Sequence, residues 1–380
     1  MAGDQLYQAL GRGLWRGYTP RTGFPADTAW TMVRDRQQTL WVGTNRGVVV
    51  EAGDVWSTIR GTEAYTIEAL ADAGPVMYAA GTNGTVMAID RASGATTVVG
   101  PSADLANNNM SSMLEIDGTL WVGTLNKGLL RMDGQTWRAE ALPGGTTTED
   151  IGQLLLDRAG RLWVAGNGGL AMRERGRWRR FTKADGLEST MVAYLVERAS
   201  GEICVAYSQA LGVTCFRYTN GLTQLSTINR AVGLTSDKLY LLGEDRHGRL
   251  YAGMGVGLDV IDGGVIEHFS TSSGMVGDDC AARAFLAEPT GEVLIGTHPW
   301  PREVRCRPLS RPADGARTAR DLGGSRRRTD PPGAARTLTA SGYDVPGRAS
   351  GDADVPQPRT ARTAASADAA GHRVADLVGR

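Results

Sequence analysis

The stretch LWVGTNRGVVV at residues 40–50 decides the fold, because versions of it recur along most of the chain. Close copies are MYAAGTNGTVM from Met77, LWVGTLNKGLL from Leu120 and LWVAGNGGLAM from Leu162. More divergent copies are ICVAYSQALGV from Ile203, LYAGMGVGLDV from Leu250, VLIGTHPW from Val293 and a partial copy, LYQALGRGLW, from Leu6. Their first residues lie 34 to 47 residues apart, with a mean of 41. A period of this size is typical of a four-stranded propeller blade.

Each repeat unit predicts four strands in a fixed order. An apolar stretch ending in an acid predicts strand a, and LWVGT predicts strand b. The residues after its Gly-rich exit predict strand c, and an apolar residue 15 or 16 positions after the Trp site marks strand d, as Trp56 follows Trp41. Strand a recurs seven times, near Met32, Ile67, Met113, Leu154, Val192, Leu239 and Phe285. The sequence therefore predicts an all-β fold, a seven-bladed β-propeller with four-stranded blades over residues 1–300.

The two ends of the repeat region bear on how the ring closes. The last unit supplies strands a and b from residues 281–297 and loses its pattern at His298. Residues 5–19 can supply strands c and d of that same blade, and closure of this kind removes exposed sheet edges. If the natural chain continued differently after residue 297, further blades or another domain would be missing.

Two kinds of residue recur at fixed places in the units. An acid ends each strand a, and we expect these carboxylates to accept backbone N–H bonds in the a–b turn rather than to bind calcium or catalyse. These acids are Asp35, Asp72, Glu115, Asp157, Glu197, Asp245 and Glu288. The repeated Trp residues are expected to pack between blades, in preference to stacking on a carbohydrate.

The zero net charge of the chain hides two unlike segments. Residues 301–380 hold 15 Arg against 9 acidic residues, whereas residues 1–300 hold 26 basic and 32 acidic residues. The tail is rich in Arg, Ala, Pro and Gly and lacks apolar periodicity, so disorder is expected. A reading-frame artefact is the favoured explanation, with a flexible tail or a basic interaction arm as alternatives. The mildly acidic body argues against a nucleic-acid partner.

Cysteine, histidine and hydropathy patterns exclude several classes of protein. Four Cys and four His show no zinc-ligand spacing, so neither a metal nor another cofactor is expected. Cys204 and Cys215 can face each other across a hairpin; two buried thiols are favoured over a disulfide. The first residues lack the pattern of a signal peptide, and no apolar stretch is long enough to insert directly into a membrane.

The units carry a resemblance to a known family. DRAGRLWVAGNGGL at 157–170, EIDGTLWVGTLNKGLL at 115–130 and GRWRRFTKADGLEST at 176–190 resemble the two-component regulator propeller repeat. The resemblance implies an extracytoplasmic, periplasmic sensor domain of a bacterial receptor, whose kinase, cyclase or regulator output domain is missing from this chain. Without a signal peptide a cytoplasmic location stays open, as does a homodimer.

Sequence motifs give little support to an enzyme. The chain contains no GxSxG, GxxxxGK[ST] or HExxH motif, and Gly253, Gly255 and Gly257 lack dinucleotide-binding spacing. His298 is the most plausible general base, but no partner carboxylate can be identified for it. Propeller lyases keep an enzyme open by analogy of fold alone. We therefore expect a non-catalytic protein.

The loops on one rim are the expected ligand site. Loops d–a and b–c share a rim because strand a runs along the central channel, and their sequences vary while the strands repeat. Their polar and acidic residues favour a small molecule or oligosaccharide, hydroxyl-rich or cationic, over an anion. The candidates are Trp30, Asn45, Arg46, Tyr65, Asn83, Asn108, Asn126, Lys127, Glu149, Asp150, Asn167, Glu188, Asp237 and Asp278. A protein-interaction scaffold is the alternative, and a rim without any ligand is equally open.

Overall fold

The computed structural model describes residues 5–9, 15–53, 55–100, 109–144 and 149–298, with the side chains from residue 15 onward. The predicted tail and Asn108 lie outside these residues. All regular elements longer than a single 3-10 turn in the described part are β-strands. The first two strands are β1, Gln5–Ala9, and β2, Trp15–Tyr18.

Six blades follow, each built from four consecutive antiparallel strands. Blades 1 to 3 comprise β3 Ala29–Arg34, β4 Leu40–Thr44, β5 Gly47–Ala52, β6 Val55–Thr58, β7 Ile67–Ala73, β8 Val76–Gly81, β9 Val86–Asp90, β10 Thr96–Gly100, β11 Met110–Ile116, β12 Thr119–Thr124, β13 Leu129–Asp133 and β14 Thr136–Glu140. Blades 4 to 6 comprise β15 Ile151–Leu156, β16 Leu162–Gly166, β17 Gly169–Glu174, β18 Arg177–Phe181, β19 Val192–Glu197, β20 Ile203–Tyr207, β21 Val213–Tyr218, β22 Leu222–Ile228, β23 Leu241–Glu244, β24 Leu250–Met254, β25 Gly257–Asp262 and β26 Val265–Phe269.

The prediction of seven blades needs a correction, because only six blades are continuous repeat units. The remaining four-stranded sheet is a composite in the order β2-β1-β28-β27, where β27 spans Asp279–Ala287 and β28 spans Val293–His298. Its outer half comes from the start of the chain, with Gln5 opposite Thr297 and Ala9 opposite Val293. A repeat count alone cannot distinguish a continuous blade from a sheet shared by distant segments.

The inner strands form a closed ring around a central channel. Each inner strand packs against the next, and β27 of the composite sheet packs against both β23 and β3. At this last contact the backbones approach closely, since a Cβ on Gly296 would collide with the Ala29 carbonyl oxygen. Arg34 Nε donates to both carboxylate oxygens of Glu288, at 3.1 and 3.2 Å, across the same contact. The composite sheet therefore closes the ring between blades 6 and 1.

The recurring acids serve the a–b turns, as expected, in five of the seven units. Asp157 Oδ1 accepts the Ala159 and Arg161 N–H groups, and its Oδ2 accepts the Trp163 indole N–H at 2.7 Å. The five acids of this kind are Asp35, Asp72, Glu115, Asp157 and Asp245. Glu197 and Glu288 differ, because they accept bonds from Arg158 N–H and the Arg34 side chain of the neighbouring sheet. These acids stabilise turns and blade contacts.

The repeated aromatic residues pack between blades. Trp163 of blade 4 lies 5.8 Å from Phe216 and 5.7 Å from Tyr218 of blade 5, measured between ring centroids. Trp121 of blade 3 meets Trp178 of blade 4 edge to face at 6.2 Å. Large rings that bury both faces are the main apolar contribution to such interfaces.

Four d–a loops share a short 3-10 turn that explains the Gly before a buried apolar residue in the sequence. Thr19, Thr182, Asn229 and Ser270 cap these turns through their side chains, and a left-handed glycine ends each of them. The next residue is buried every time: Phe24, Leu187, Leu234 and Met275. Because glycine adopts positive φ without strain, this turn sends the chain inward toward the next inner strand.

Cys204 and Cys215 form a disulfide, so the favoured interpretation as two free thiols is wrong. The two residues are directly opposite each other in the pairing of β20 with β21. Their facing was inferable from the hairpin; the bond itself depends on the close approach of the two strands, with Cα atoms 4.0 Å apart. Cys280 is a free, buried thiol, and burial raises its pKa to about 12.

Candidate functional site

Loops d–a and b–c meet on one rim of the propeller, as the repeat pattern indicates. Backbone hydrogen bonds connect them around the ring. Gly47 N–H donates to Tyr65 O at 2.9 Å, Asn167 N–H to Asp150 O at 3.0 Å, and Gly257 N–H to Asp278 O at 2.7 Å. The loops therefore form a connected rim rather than separate flaps.

Several acidic and amide candidates on this rim accept hydrogen bonds, either from a neighbouring loop or from their own loop. Asn45 Oδ1 accepts the Asp27 and Thr28 N–H groups, both at 3.1 Å. Asp150 accepts from Asn126 N–H, Asp237 from Arg230 N–H, and Asp278 from Thr271 N–H and Oγ1. Asp27 pairs with Arg46, and buried Glu149 pairs with Arg180 at 2.8 Å. Their hydrogen-bonding groups are thus largely satisfied within the protein, and Asp27 and Glu149 also form ion pairs.

The remaining candidates lie apart from one another. Asn83, Asn126, Lys127, Asn167 and Glu188 are exposed on four different loops. Glu188 N–H donates to the Tyr207 hydroxyl at 3.0 Å. Tyr65 packs against the apolar cluster that contains Trp41 and Ile67, so it contributes to the blade 1–2 interface. The structure does not bring these residues together with Trp30.

Trp30 belongs to a different cluster at the mouth of the channel. Its ring centroid lies 4.6 Å from that of His298, and the planes meet at 66°. His298 is directly opposite Asp279 in the pairing of β27 with β28. The Trp30 indole N–H is buried and has no hydrogen-bond partner among the described residues. A buried donor of this kind is costly unless a ligand or water accepts from it.

Blade 6 supplies the other side of the mouth. A Cβ placed on Gly255 would lie 3.3 Å from Tyr240 Cε2 and 3.5 Å from Asp279 Oδ1. The side chains of Tyr240 and Asp279 therefore both lie next to the backbone of Gly255, which has no side chain of its own. Lys238 Nζ lies 5.8 Å from the Tyr240 ring centroid and donates to Ser208 O. We define the channel mouth as Trp30, Lys238, Tyr240, Asp279 and His298.

Burial shapes the ionisation of this cluster. It lowers the pKa of His298, although the Asp279 charge opposes the shift, and it raises the pKa of Asp279. Neutral imidazole is therefore favoured at neutral pH. The mouth offers aromatic faces, hydrogen-bonding groups and the Lys238 cation to a ligand.

At the level of Trp30 and Tyr240, the inner strands share a bulge. In blades 1 to 5 the a–b register shifts by one residue near the rim, at Trp30, Glu68, Ser111, Gly152 and Ala193. In blade 6, Tyr240 and Leu241 both face Gly253. Large residues thus occupy this position in blades 1, 2 and 6, and small residues occupy it in blades 3 to 5. The ring of inner strands is asymmetric at this level.

The composite sheet has the largest bulge, and Arg283 lies within it. From Cys280 to Phe285 the inner strand advances five positions while its partner advances two, from Thr297 to Ile295. The charge of Arg283 acts on Tyr194 of blade 5 and Glu68 of blade 2. Neither blade adjoins the composite sheet, so these interactions cross the channel.

Sequence reasoning missed Arg283, Glu68, Tyr240 and Tyr194 as site residues because it placed the site in the loops. One signal was available, since CAARAFLAE at residues 280–288 sets a charged residue inside an otherwise apolar inner strand. His298 was considered only as a general base. Its carboxylate neighbour, Asp279, becomes evident only when the two strands are paired.

The described ranges show neither a metal-binding cluster nor a membrane-spanning helix. They hold no group of three His, Cys, Asp or Glu side chains placed to bind a metal ion. Within the same residues, no helix has the length and apolar character needed to cross a membrane.

Comparison with known proteins identifies the repeat and the fold. Residues 23–46 match the family model of the two component regulator propeller. A search of curated protein sequences finds no match. The chain carries this family's repeat in the segment that includes Trp30, Asn45 and Arg46.

Solved structures of similar fold include two extracellular domains from B. thetaiotaomicron. That of the hybrid two component system BT3049 is 14% identical with a TM-score of 0.61, over 73% of this chain and 38% of that chain. That of the one component system BT4673 is 16% identical with a TM-score of 0.59, over 72% of this chain and 38% of that chain. This chain thus spans about two fifths of the length of those domains.

A further similar structure is a catalytically inactive variant of virginiamycin B lyase from Staphylococcus aureus with quinupristin. It is 11% identical with a TM-score of 0.55, and the match covers 72% of this chain and 96% of the lyase. All three likenesses are likenesses of fold.

Proposed function

We propose that this propeller is the ligand-sensing, non-catalytic domain of a bacterial signal-transduction receptor, and that it binds a small molecule or oligosaccharide at the channel mouth. The observation that carries the proposal is Trp30, whose buried indole N–H lacks a partner among the described residues and whose ring packs on His298 at the channel entrance. The family match begins seven residues before Trp30 and supports the receptor context.

The chemistry of the mouth suits a hydroxyl-rich ligand. Trp30 and Tyr240 offer ring faces, and Asp279 and Lys238 offer an acceptor and a donor nearby. Ligand sites combine apolar surface with a few convergent polar groups in this way. The output domain, a kinase, cyclase or regulator, would belong to another part of the receptor, and a homodimer is compatible with such signalling.

The ligand proposal is tested by thermal shift of the full chain with neutral sugars and small metabolites. At least one compound is expected to raise Tm, and Trp30→Ala is expected to weaken its affinity about 3- to 10-fold through lost ring contact. Asn126→Ala, on the exposed blade 3 loop, serves as the control and should bind normally.

Two outcomes would count against the ligand proposal. One is a panel in which no compound stabilises the protein while a partner protein binds the rim stoichiometrically, which would support the scaffold alternative. The other is a ligand whose binding depends on Asn126 and not on Trp30, which would move the site to another loop.

An extracytoplasmic, periplasmic location is part of the proposal. The disulfide between Cys204 and Cys215 supports it, because disulfides persist in oxidising compartments. The extracellular origin of the two B. thetaiotaomicron domains agrees with this location.

Removal of the disulfide should be costly. Cys204→Ala combined with Cys215→Ala is expected to lower the free energy of unfolding by about 2–3 kcal/mol, the usual effect of opening a loop of this size. Chemical denaturation measures the loss, and dithiothreitol should lower the Tm of the wild type but not of the double variant. If mass spectrometry of protein from its native host showed both thiols free, the assigned compartment would be wrong.

A further inference from the structure

Arg283 combines four features that ordinary structural residues avoid. Its side chain lies deep in the channel, it forms no ion pair or side-chain hydrogen bond with any described residue, and its Nε is fully buried without a partner. Its backbone is also in the left-handed region, at φ 63°. We infer that Arg283 is the anion-binding residue of the channel, and that the ligand of the channel mouth carries a carboxylate; this inference rests on the proposed function.

The unpaired guanidinium of Arg283 is energetically costly. A guanidinium presents five N–H donors in a rigid fork, and taking it out of water is unfavourable unless an acceptor replaces the water. Arg283 as a residue keeps some solvent exposure while its Nε is fully buried, so part of the side chain stays open to a ligand. Burial lowers the pKa of Arg283, while Tyr194 and Glu68 act in the opposite direction.

The backbone of Arg283 is also strained. A non-glycine residue with positive φ inside a strand is unfavourable, and such strain concentrates at functional sites. The bulge that holds Arg283 is anchored by its own N–H, which donates to Tyr240 O at 3.1 Å. Tyr240 is itself a residue of the channel mouth. The bulge thus couples the position of the guanidinium to the proposed site above it.

The charged residues of the rim and channel bear on the sign of the ligand charge. The rim acids that favoured a cationic ligand in the sequence are engaged within the protein: Asp150, Asp237 and Asp278 accept backbone N–H bonds, and Glu149 pairs with Arg180. Arg283 has only Glu68 as a nearby opposite charge among the described residues, and the two form no direct ion pair. Arg283 is therefore a channel cation without an ion pair, and an anionic ligand can supply the missing partner.

The guanidinium of Arg283 favours a carboxylate over other anions. A carboxylate accepts two parallel hydrogen bonds from one guanidinium, which satisfies the fork with a single negative charge. A phosphate dianion would bring a second charge next to Glu68, whose own pKa burial already raises. The mouth offers aromatic rings and polar groups. A hydroxylated carboxylic acid such as a sugar acid can therefore contact the mouth with its hydroxylated part and Arg283 with its carboxylate.

The test measures the Tm and affinity of the full chain with glucuronate and acetate, each compared with sodium chloride at the same ionic strength, and with neutral glucose. Glucuronate is expected to stabilise the protein more than acetate, because it also reaches Trp30 and Tyr240, and both should exceed chloride. Arg283→Met is expected to weaken glucuronate binding about 10- to 100-fold. Arg283→Lys keeps the charge but loses the forked donor geometry, so its affinity for glucuronate should lie between those of the wild type and Arg283→Met.

Glu68→Gln provides the matched control in the same channel. Removing its carboxylate should leave glucuronate binding equal or tighter, because it takes away a repulsive group. Wild-type protein stabilised no more by either carboxylate than by chloride, or equal binding by Arg283→Met, would overturn the inference. So would equal loss in Glu68→Gln and Arg283→Met, which would indicate general damage to the channel. If Arg283→Met does not fold, Arg283→Lys and Glu68→Gln still decide the matter.

The failure of this inference differs from the failure of the proposed function. A neutral ligand that needs Trp30, without any carboxylate effect, would leave the mouth as a sensing site and remove Arg283 from it. Carboxylate stabilisation that needs Arg283 but is unchanged in Trp30→Ala would confirm the anion site and contradict the proposed mouth.

Discussion

Replacement of Trp163 by alanine is expected to lower the free energy of unfolding by about 3–5 kcal/mol. Trp163 is fully buried and packs against Phe181 of its own blade and Phe216 and Tyr218 of the next. Its indole N–H also donates to Asp157 Oδ2 at 2.7 Å, so the variant leaves a cavity between two blades and removes one hydrogen bond of the turn acid. Both effects destabilise the same interface.

Chemical denaturation monitored by circular dichroism measures the effect of Trp163→Ala. Trp30→Ala is the matched control, since Trp30 lies at the channel mouth and its indole N–H has no partner among the described residues. The Trp30→Ala substitution should lower the free energy of unfolding by about 1 kcal/mol or less. A loss for Trp163 no larger than that for Trp30 would contradict the interpretation of the repeated Trp residues as blade contacts.

Deletion of residues 1–18 is expected to abolish the cooperative fold. The deletion removes β1 and β2, half of the composite sheet, and leaves the edge of β28 unpaired. It also removes Trp15 and Tyr18, which contact Phe269 of blade 6 at 5.8 Å and Trp56 of blade 1 at 5.3 Å. An open ring with a bare strand edge is both unstable and prone to aggregate.

A chain lacking only residues 1–4 is the control for this deletion, because it keeps both strands. Size-exclusion chromatography and thermal unfolding of the two shortened proteins give the comparison. A monomeric 1–18 deletion with wild-type Tm would show that the composite sheet does not close the ring.

The sequence was sufficient for the blade pattern because each unit meets the same surroundings. The acid-turn-Trp arrangement at Asp157 and Trp163 recurs at Asp35 and Trp41, with the same indole hydrogen bond. Periodicity also placed the d–a and b–c loops on one rim. It was less informative about Glu197 and Glu288, whose partners lie on neighbouring sheets.

The candidate site was only partly accessible to sequence reasoning. Trp30 was identified as an aromatic in a polar loop, and it lies at the channel mouth. Asn45, Asp150 and Asp278 were candidate ligand groups, but the oxygens of Asn45 and Asp150 bond to neighbouring loops and those of Asp278 bond within its own loop. Arg283 depends on a three-residue bulge and on interactions across the channel, and neither feature follows from a local pattern.

The most direct test of the central claim is hydrogen exchange of the full chain, measured by mass spectrometry with and without saturating glucuronate. The account predicts slower exchange in three segments that meet at the channel mouth, at residues 27–34, 236–243 and 279–286. The c–d hairpins on the opposite rim, such as residues 174–177, should be unchanged. Protection confined to those hairpins, or none anywhere, would contradict a carboxylate site at the channel mouth.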